Sequence, residues 1–449
     1  MPLKLVAGWS YYLRVAPLWC ALCLYACADR AYTDAEVVAA WADLSLDVAR
    51  TTPSNSPTYA SRCFGYLGLT MYETVVHGAE GHRSLVGQLS NLPPLPLPER
   101  GQAYDYALAL SSGQATMLRS VYQQTSAENM ARIDSLEREI EGSRRGEAAT
   151  LQRSVAYGRA VARSIYEWSK SDGGHRAYLR NFEKDIVHPT HPGSWQPPLF
   201  AQSFSHRPLH PLWGTNRPFV PANYAMEAPE FIPYDTVPGS PYYEQFRAVY
   251  EKERSLTQAE KEAALWWGDD PDGTFTPPGH SYYLAGLVLA ALPEPPALVK
   301  CAETYARTGL AVADAFINCW RWKFEVFSER PNTFIPAYID AEWESFWPDP
   351  PFPAFPSGHA VQAAAAATVL QALHGDAHQL RDAAHEGRER DVVRDVDFRV
   401  REFTSLSQVA REVADSRFYG GIHTPQDNER GLEHGALIGQ HINALRWHE

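Results

Sequence analysis

Positive charge, cysteine and methionine are all scarce in this 449-residue chain. Lys and Arg number 40 against 53 Asp and Glu, a formal net charge of -13. So acidic a chain is a poor partner for a phosphate backbone, which excludes nucleic acid. No stretch beyond the N-terminal segment is long and apolar enough to cross a bilayer. Runs that alternate apolar and polar residues are nearly absent, and so is any internal repeat. The first absence argues against a β architecture and leaves an all-α fold, a bundle of packed helices with long Pro- and aromatic-rich loops.

Of six cysteines, Cys20 and Cys23 fall inside an N-terminal segment in which Lys4 and Arg14 precede an apolar run from Val15 to Ala26. The run is too short to span a membrane in the mature protein and reads as a signal over residues 1–27. Its end, Leu24-Tyr25-Ala26-Cys27, resembles a bacterial lipoprotein cleavage box. Cys27 is then the candidate lipid anchor, and the expected location is periplasmic or at the outer membrane. Cys63, Cys301 and Cys319 remain, an odd set that argues against a disulfide framework. One bridge is open to them, although Cys319 reads as a buried thiol. At 45% hydrophobic content the length allows one large domain or two. The expectation is one unit over 28–449, with a catalytic half at about 279–449.

Helix starts are marked along the chain. Thr33-Asp-Ala-Glu36 and Thr257-Gln-Ala-Glu260 are capping boxes. Periodic patterns predict helices over about 57–77, 101–123, 126–143, 146–171, 279–291, 296–328, 405–416 and 425–446. Residues 174–240 crowd Pro, His, Trp and Phe, and predict a lid or wall at a pocket mouth. Their His188, His191, His206 and His210 fit no ligand spacing and read as surface or loop-packing residues. Asp269, Asp270 and Asp272 look like a turn, since no glutamate follows where a calcium loop needs one. The charged stretch 374–403 predicts a surface excursion with a short strand pair.

Three clusters carry the chemistry. In Phe352-Pro-Ala-Phe-Pro356-Ser357-Gly358-His359, Ser357 reads as the N-cap of an Ala-rich helix. The free N–H groups of its first turn form an anion site, and Gly358 permits close approach. In the second cluster Lys323 and Arg330 stand seven residues apart, on one face if the helix continues, and Pro331 stops that helix. The third, Ser416-Arg417 to Asp427, puts His423 just before a helix opened by Thr424-Pro425. Asp427, one turn on, is placed to hold the far nitrogen of His423. Two Arg, one Lys, a hydroxyl, backbone N–H donors and two His suit a tetrahedral oxyanion of several charges.

These clusters, Lys-x6-Arg-Pro, Pro-Ser-Gly-His and Ser-Arg-x5-His-x3-Asp, match the three signatures of the superfamily of acid phosphatases, type 2 phosphatidic acid phosphatases and vanadium-dependent haloperoxidases. The Pro351–His359 run, the Trp267–His280 segment and the loop at 192–219 resemble the bacterial haloperoxidases in particular. So does the helix bearing Pro57, Arg62 and Met71-Tyr72-Glu73. The resemblance implies a vanadate cofactor bound through His423. It implies that Lys323, Arg330, Ser357, Gly358 and Arg417 hold the oxygens and that His359 moves protons. Trp320, Phe352 and Asp314 then belong to the pocket, with Asp314 orienting the basic cluster. The implied reaction oxidises halide, iodide or bromide rather than chloride, with hydrogen peroxide to hypohalous acid. Phosphate fits the same site in the apo form. A phosphatase working through a phosphohistidine on His423 is the alternative, and an inactive anion-binding lipoprotein a further one.

Overall fold

The computed structural model describes residues 31–198, 205–269 and 273–449. The signal segment with Cys27, together with Asp270 and Asp272, lies outside them. Five long helices open the fold: α1 (Asp34–Thr51), α2 (Pro57–Val75), α3 (Tyr106–Val121), α4 (Ala127–Ser143) and α5 (Ala148–Ser169). A long connection follows, with two 3-10 turns at Ala177–Leu179 and Trp213–Thr215 and the four-residue α6 (Pro221–Tyr224) among its described residues. Then come α7 (Pro241–Glu253), α8 (Gln258–Trp266), α9 (Thr276–Ala290), α10 (Leu298–Val326), α11 (Pro331–Tyr338) and α12 (Gly358–His374). The antiparallel pair β1 (Ala377–Asp382) and β2 (Arg401–Ser405) precedes α13 (Leu406–Tyr419) and α14 (Pro425–Asn443). The described chain is therefore helical apart from one strand pair.

Local chemistry explains where most helices begin. Both capping boxes form, with Glu36 accepting from the Thr33 N–H and Glu260 from the Thr257 N–H, each at 2.9 Å. Ser56, Ser126 and Ser240 cap α2, α4 and α7 through their side chains. The core forms between α2 and α10, which lie against each other. Gly309 permits that contact, because a Cβ there would meet the Phe64 carbonyl oxygen at 2.3 Å. A second close pair, α12 with α14, is built on Gly431, Gly435 and Gly439 of α14. A Cβ on Gly435 would lie 2.1 Å from the Val361 carbonyl oxygen. Apolar burial runs continuously from Val37 in α1 to Ile442 in α14. Cys63, Cys301 and Cys319 are all free and buried, and burial pushes their thiols up to about 12, 11 and 11.

Two expectations change. The helix carrying Lys323 does not continue to Arg330. It ends at Val326, where Phe327 turns left-handed at φ 52°, and Pro331 opens α11 instead of stopping α10. Proline suits the first helical turn, so its position after Arg330 marks a start. The stretch 374–403 is also not wholly a surface excursion. Its strands form, but Asp382 and His385 are buried to 0% and 2% exposure.

Candidate active site

The Ala-rich α12 brings its N-terminus into the centre of the protein. Ser357 is its N-cap, yet the Ser357 hydroxyl caps nothing: it is fully buried without a hydrogen-bond partner. The Ser357 N–H donates to the Asp427 carbonyl at 3.0 Å, which joins the start of α12 to the start of α14. At Gly358 a Cβ would lie 3.6 Å from Trp320 and 3.9 Å from the Cys319 sulfur. Those are ordinary contacts, so protein packing does not demand glycine there. What a side chain would crowd is the adjoining cavity.

Three cations converge on this point from three elements. Lys323, in the last turn of α10, is fully buried and donates to the Pro353 and Ala354 carbonyls at 2.8 and 2.7 Å. Burial lowers its ammonium to about 7. Arg330, in the α10–α11 connection, donates to the Phe352 and Ile422 carbonyls, both at 2.8 Å. Arg417, on α13, donates to the Ala264 carbonyl at 2.6 Å. Backbone carbonyls thus orient all three, and no carboxylate forms a salt bridge to Lys323 or Arg330 among the described residues. The Phe352 ring lies 5.2 Å from both the Lys323 nitrogen and the Arg330 guanidinium. Trp320 stands 4.9 Å from Phe352 and donates to the Leu209 carbonyl at 3.1 Å.

The two histidines are held differently. His423 Nδ1 lies 3.2 Å from Asp427 Oδ2, which also accepts the Thr424 N–H at 2.9 Å. Donation from Nδ1 leaves Nε2 with the lone pair. Burial, with Arg330 and Lys323 behind it, holds this imidazole well below its usual range and therefore neutral. Burial also raises the Asp427 carboxyl to about 6. His359 bonds the Trp267 carbonyl, while its Nε2 is buried without a partner. Burial and then Arg417 lower its ring to about 3. Gly358, His359, Arg417 and His423 all line one cavity of about 420 Å³, with Trp320 and Phe352 in its apolar wall.

Asp314 requires a correction. It is not in that wall and does not orient the cations. Nine residues before Lys323 it lies on the opposite side of α10. There it accepts from the Phe219 and Val220 N–H groups and the Asn223 amide at 2.7, 2.9 and 2.8 Å. It therefore anchors the aromatic loop, and burial raises its carboxyl to about 6. That loop does reach the cavity, through Asn181, Phe182 and Leu209. Among its histidines His210 is fully buried, a packing residue bonded to Thr58 and Ala177.

Sequence reasoning missed a carboxylate in the same wall. Asp269, backbone left-handed at φ 47°, lines the cavity and bonds His280 at 2.9 Å and His385 at 3.0 Å. His280 bonds Asp382 on its other side at 2.9 Å. Two carboxylates hold His280 charged, its pKa raised to about 10. Only the Trp267–His280 segment gave a hint of this network. Asp382 and His385 come from the stretch after α12 and carried no signal.

Residues 303–446 match the family profile of the VCPO second helical-bundle domain. The whole chain is similar to the structure of the first bacterial vanadium-dependent iodoperoxidase, at 28% identity and a TM-score of 0.77, covering 91% of this chain and 95% of that one. Together these two likenesses support a vanadium-dependent haloperoxidase. Two further haloperoxidase structures share its fold, both bacterial vanadium-dependent chloroperoxidases. The apo-type is 16% identical with a TM-score of 0.65, over 88% of this chain and 94% of that one. The holo-type is 15% identical with a TM-score of 0.63, over 89% and 95%. No curated protein matches in sequence.

Proposed function

We propose that this protein oxidises halide with hydrogen peroxide to hypohalous acid, using vanadate as a resident cofactor. The observation that carries the reading is the set of buried polar groups gathered at the start of α12. The Ser357 hydroxyl is a buried donor without a partner and His359 Nε2 a buried acceptor without one, beside Lys323 and Arg330, which form no salt bridge to a carboxylate among the described residues, and beside Arg417. A tetrahedral oxyanion of several negative charges accepts from the hydroxyl and the cations at once, and a protonated oxygen of the same anion donates to His359 Nε2. The residues therefore fit vanadate. His423 Nε2 is the nitrogen available to the central atom. Lys323, Arg330, Arg417, Ser357 and the Gly358 N–H are the donors for its oxygens.

When bound, vanadate supplies Lewis-acid activation of peroxide without itself changing oxidation state. The chain supplies the rest. The cations, themselves buried, stabilise negative charge where such interactions are strong. Asp427 fixes the His423 tautomer and so presents a lone pair. His359, neutral with Nε2 open, takes a proton as peroxide enters and returns it as product leaves. The Phe352 and Trp320 faces exclude water above the cations.

We favour iodide, then bromide, because iodide is the most easily oxidised and the 28%-identical relative is an iodoperoxidase. The donor set also fits phosphate, and that observation favours one second reading: a phosphatase in which neutral His423 attacks phosphorus. Vanadium analysis and an iodide-oxidation assay on purified protein separate the two. Stoichiometric vanadium with peroxide-dependent iodide oxidation supports the haloperoxidase. Phosphate-ester hydrolysis without vanadium-dependent oxidation sinks it. We further propose export with processing at Cys27, which mass spectrometry of the mature protein reads directly.

A further inference from the structure

A second cluster of ligand-type side chains lies elsewhere on α10. Glu303 is twenty residues before Lys323 on that helix, about 30 Å along its axis. It meets His82, from the loop after α2, and His448, from the segment after α14. The backbone brings the two histidines together. The Arg83 N–H donates to the Trp447 carbonyl at 2.9 Å and the Glu449 N–H to the Gly81 carbonyl at 3.0 Å. His82 and His448 form the bridge between them, rings 4.7 Å apart edge to face.

The distances fit a shared ion better than direct bonds. His82 Nε2 lies 3.8 Å from Glu303 Oε2, and His448 Nε2 lies 3.5 Å from Oε1. Neither is a good hydrogen bond. Glu303 is fully buried, Arg307 occupies Oε1, and Oε2 has no hydrogen-bond partner. The three ligand atoms lie within 4.8 Å of one another. A zinc ion with bonds of about 2.0–2.2 Å at tetrahedral angles spaces its ligand atoms roughly 3.3–3.6 Å apart. The tautomer is also set for coordination. His82 Nδ1 is 3.0 Å from the Glu80 carbonyl, so its N–H points there and the neutral ring keeps its lone pair on Nε2, towards Glu303. With side chains 18% and 54% exposed, His82 and His448 leave an entry path and room for water.

We propose that His82, Glu303 and His448 bind a divalent transition-metal cation of the zinc kind, with water completing the coordination. The ion would tie the loop after α2, the start of α10 and the segment after α14 into one unit.

Isothermal titration of zinc chloride into metal-stripped full-length protein, without vanadate, tests this. One zinc per chain is expected, with affinity falling at least about tenfold in His82→Ala and in His448→Ala. Zinc should raise the melting temperature of the wild type and lose that effect in both variants. Circular dichroism checks that the variants fold, and phosphate binding checks the oxyanion cavity separately. The buried trio of Asp269, His280 and His385 stays intact in both variants, so zinc held equally by wild type and variants overturns the proposal. A wild type that takes up no zinc overturns it too.

Discussion

The two cavity histidines differ in what their ring nitrogens meet, and that difference divides their work. His423 is pinned by Asp427 and presents one lone pair; His359 is pinned by the Trp267 carbonyl and has Nε2 open. His423→Ala should lose most of its vanadium, and activity with it. His359→Ala keeps the cations and backbone donors. It should retain vanadium while turnover falls by roughly 10²–10⁴, the usual worth of acid–base catalysis. Metal content and iodide oxidation for both variants check this, and metal loss only in His359→Ala would reverse the roles. His210 sets a pH dependence of another kind. Burial lowers it from 6.5 to about 4, with Nδ1 on Thr58 and Nε2 on the Ala177 carbonyl. The unfolded chain takes this proton near pH 6.5 and the folded one only near 4, so stability falls as pH drops across that window. The loss amounts to about 3 kcal/mol. Denaturant unfolding of wild type and His210→Gln between pH 7 and pH 4 should show a flatter dependence in the variant.

Helix by helix, the sequence announced starts better than it announced partners. The capping boxes at Thr33 and Thr257 and the Thr424-Pro425 entry are local chemistry, and each begins a helix in the structure, while Ser357 holds the N-cap position of α12 without its hydroxyl capping. The Ser240-Pro241 start of α7 is equally local, at the end of the aromatic loop. Arg330 could be read as a cation but not as a residue beyond the helix, because a left-handed Phe327 is fixed by tertiary packing. The Asp269–His280–Asp382 network joins segments about a hundred residues apart, which no spacing rule reaches. The glycine stripe of α14 lets α12 approach, and the two helices carry Ser357 to His359 and His423 to Asp427. Gly435→Ala should therefore cost at least about 1–3 kcal/mol and weaken phosphate binding as well. Gly142→Ala in α4, where a Cβ would meet nothing within 4 Å, is the control and should be neutral or slightly stabilising. Thermal unfolding and phosphate titration of both variants read the result.

For the molecule as a whole, the donors and the fold belong to one balance. Lys323 and Arg330, buried together, repel each other until an anion arrives, so ligand binding and folding are coupled. Phosphate at about 100 times its dissociation constant should add about 2.7 kcal/mol of stability. It should also inhibit halide oxidation in competition with vanadate. Calorimetric melting and activity over a phosphate series check both, and a melting temperature indifferent to phosphate would contradict the shared site.

The three described cysteines take on another meaning beside the proposed product. Hypohalous acid attacks thiolate sulfur readily, and a peroxide-fed catalyst meets it at its highest concentration. Cys319 lies next to the cavity residue Trp320 on α10, yet it is enclosed, and its Sγ is 3.5 Å from the Pro356 carbonyl, to which the thiol donates. Cys63 and Cys301 are equally enclosed and equally far from ionising at neutral pH. If hypohalous acid is the product, the three described thiols stay protonated and out of its reach while the bundle is closed, and oxidative damage to them should track how often it opens.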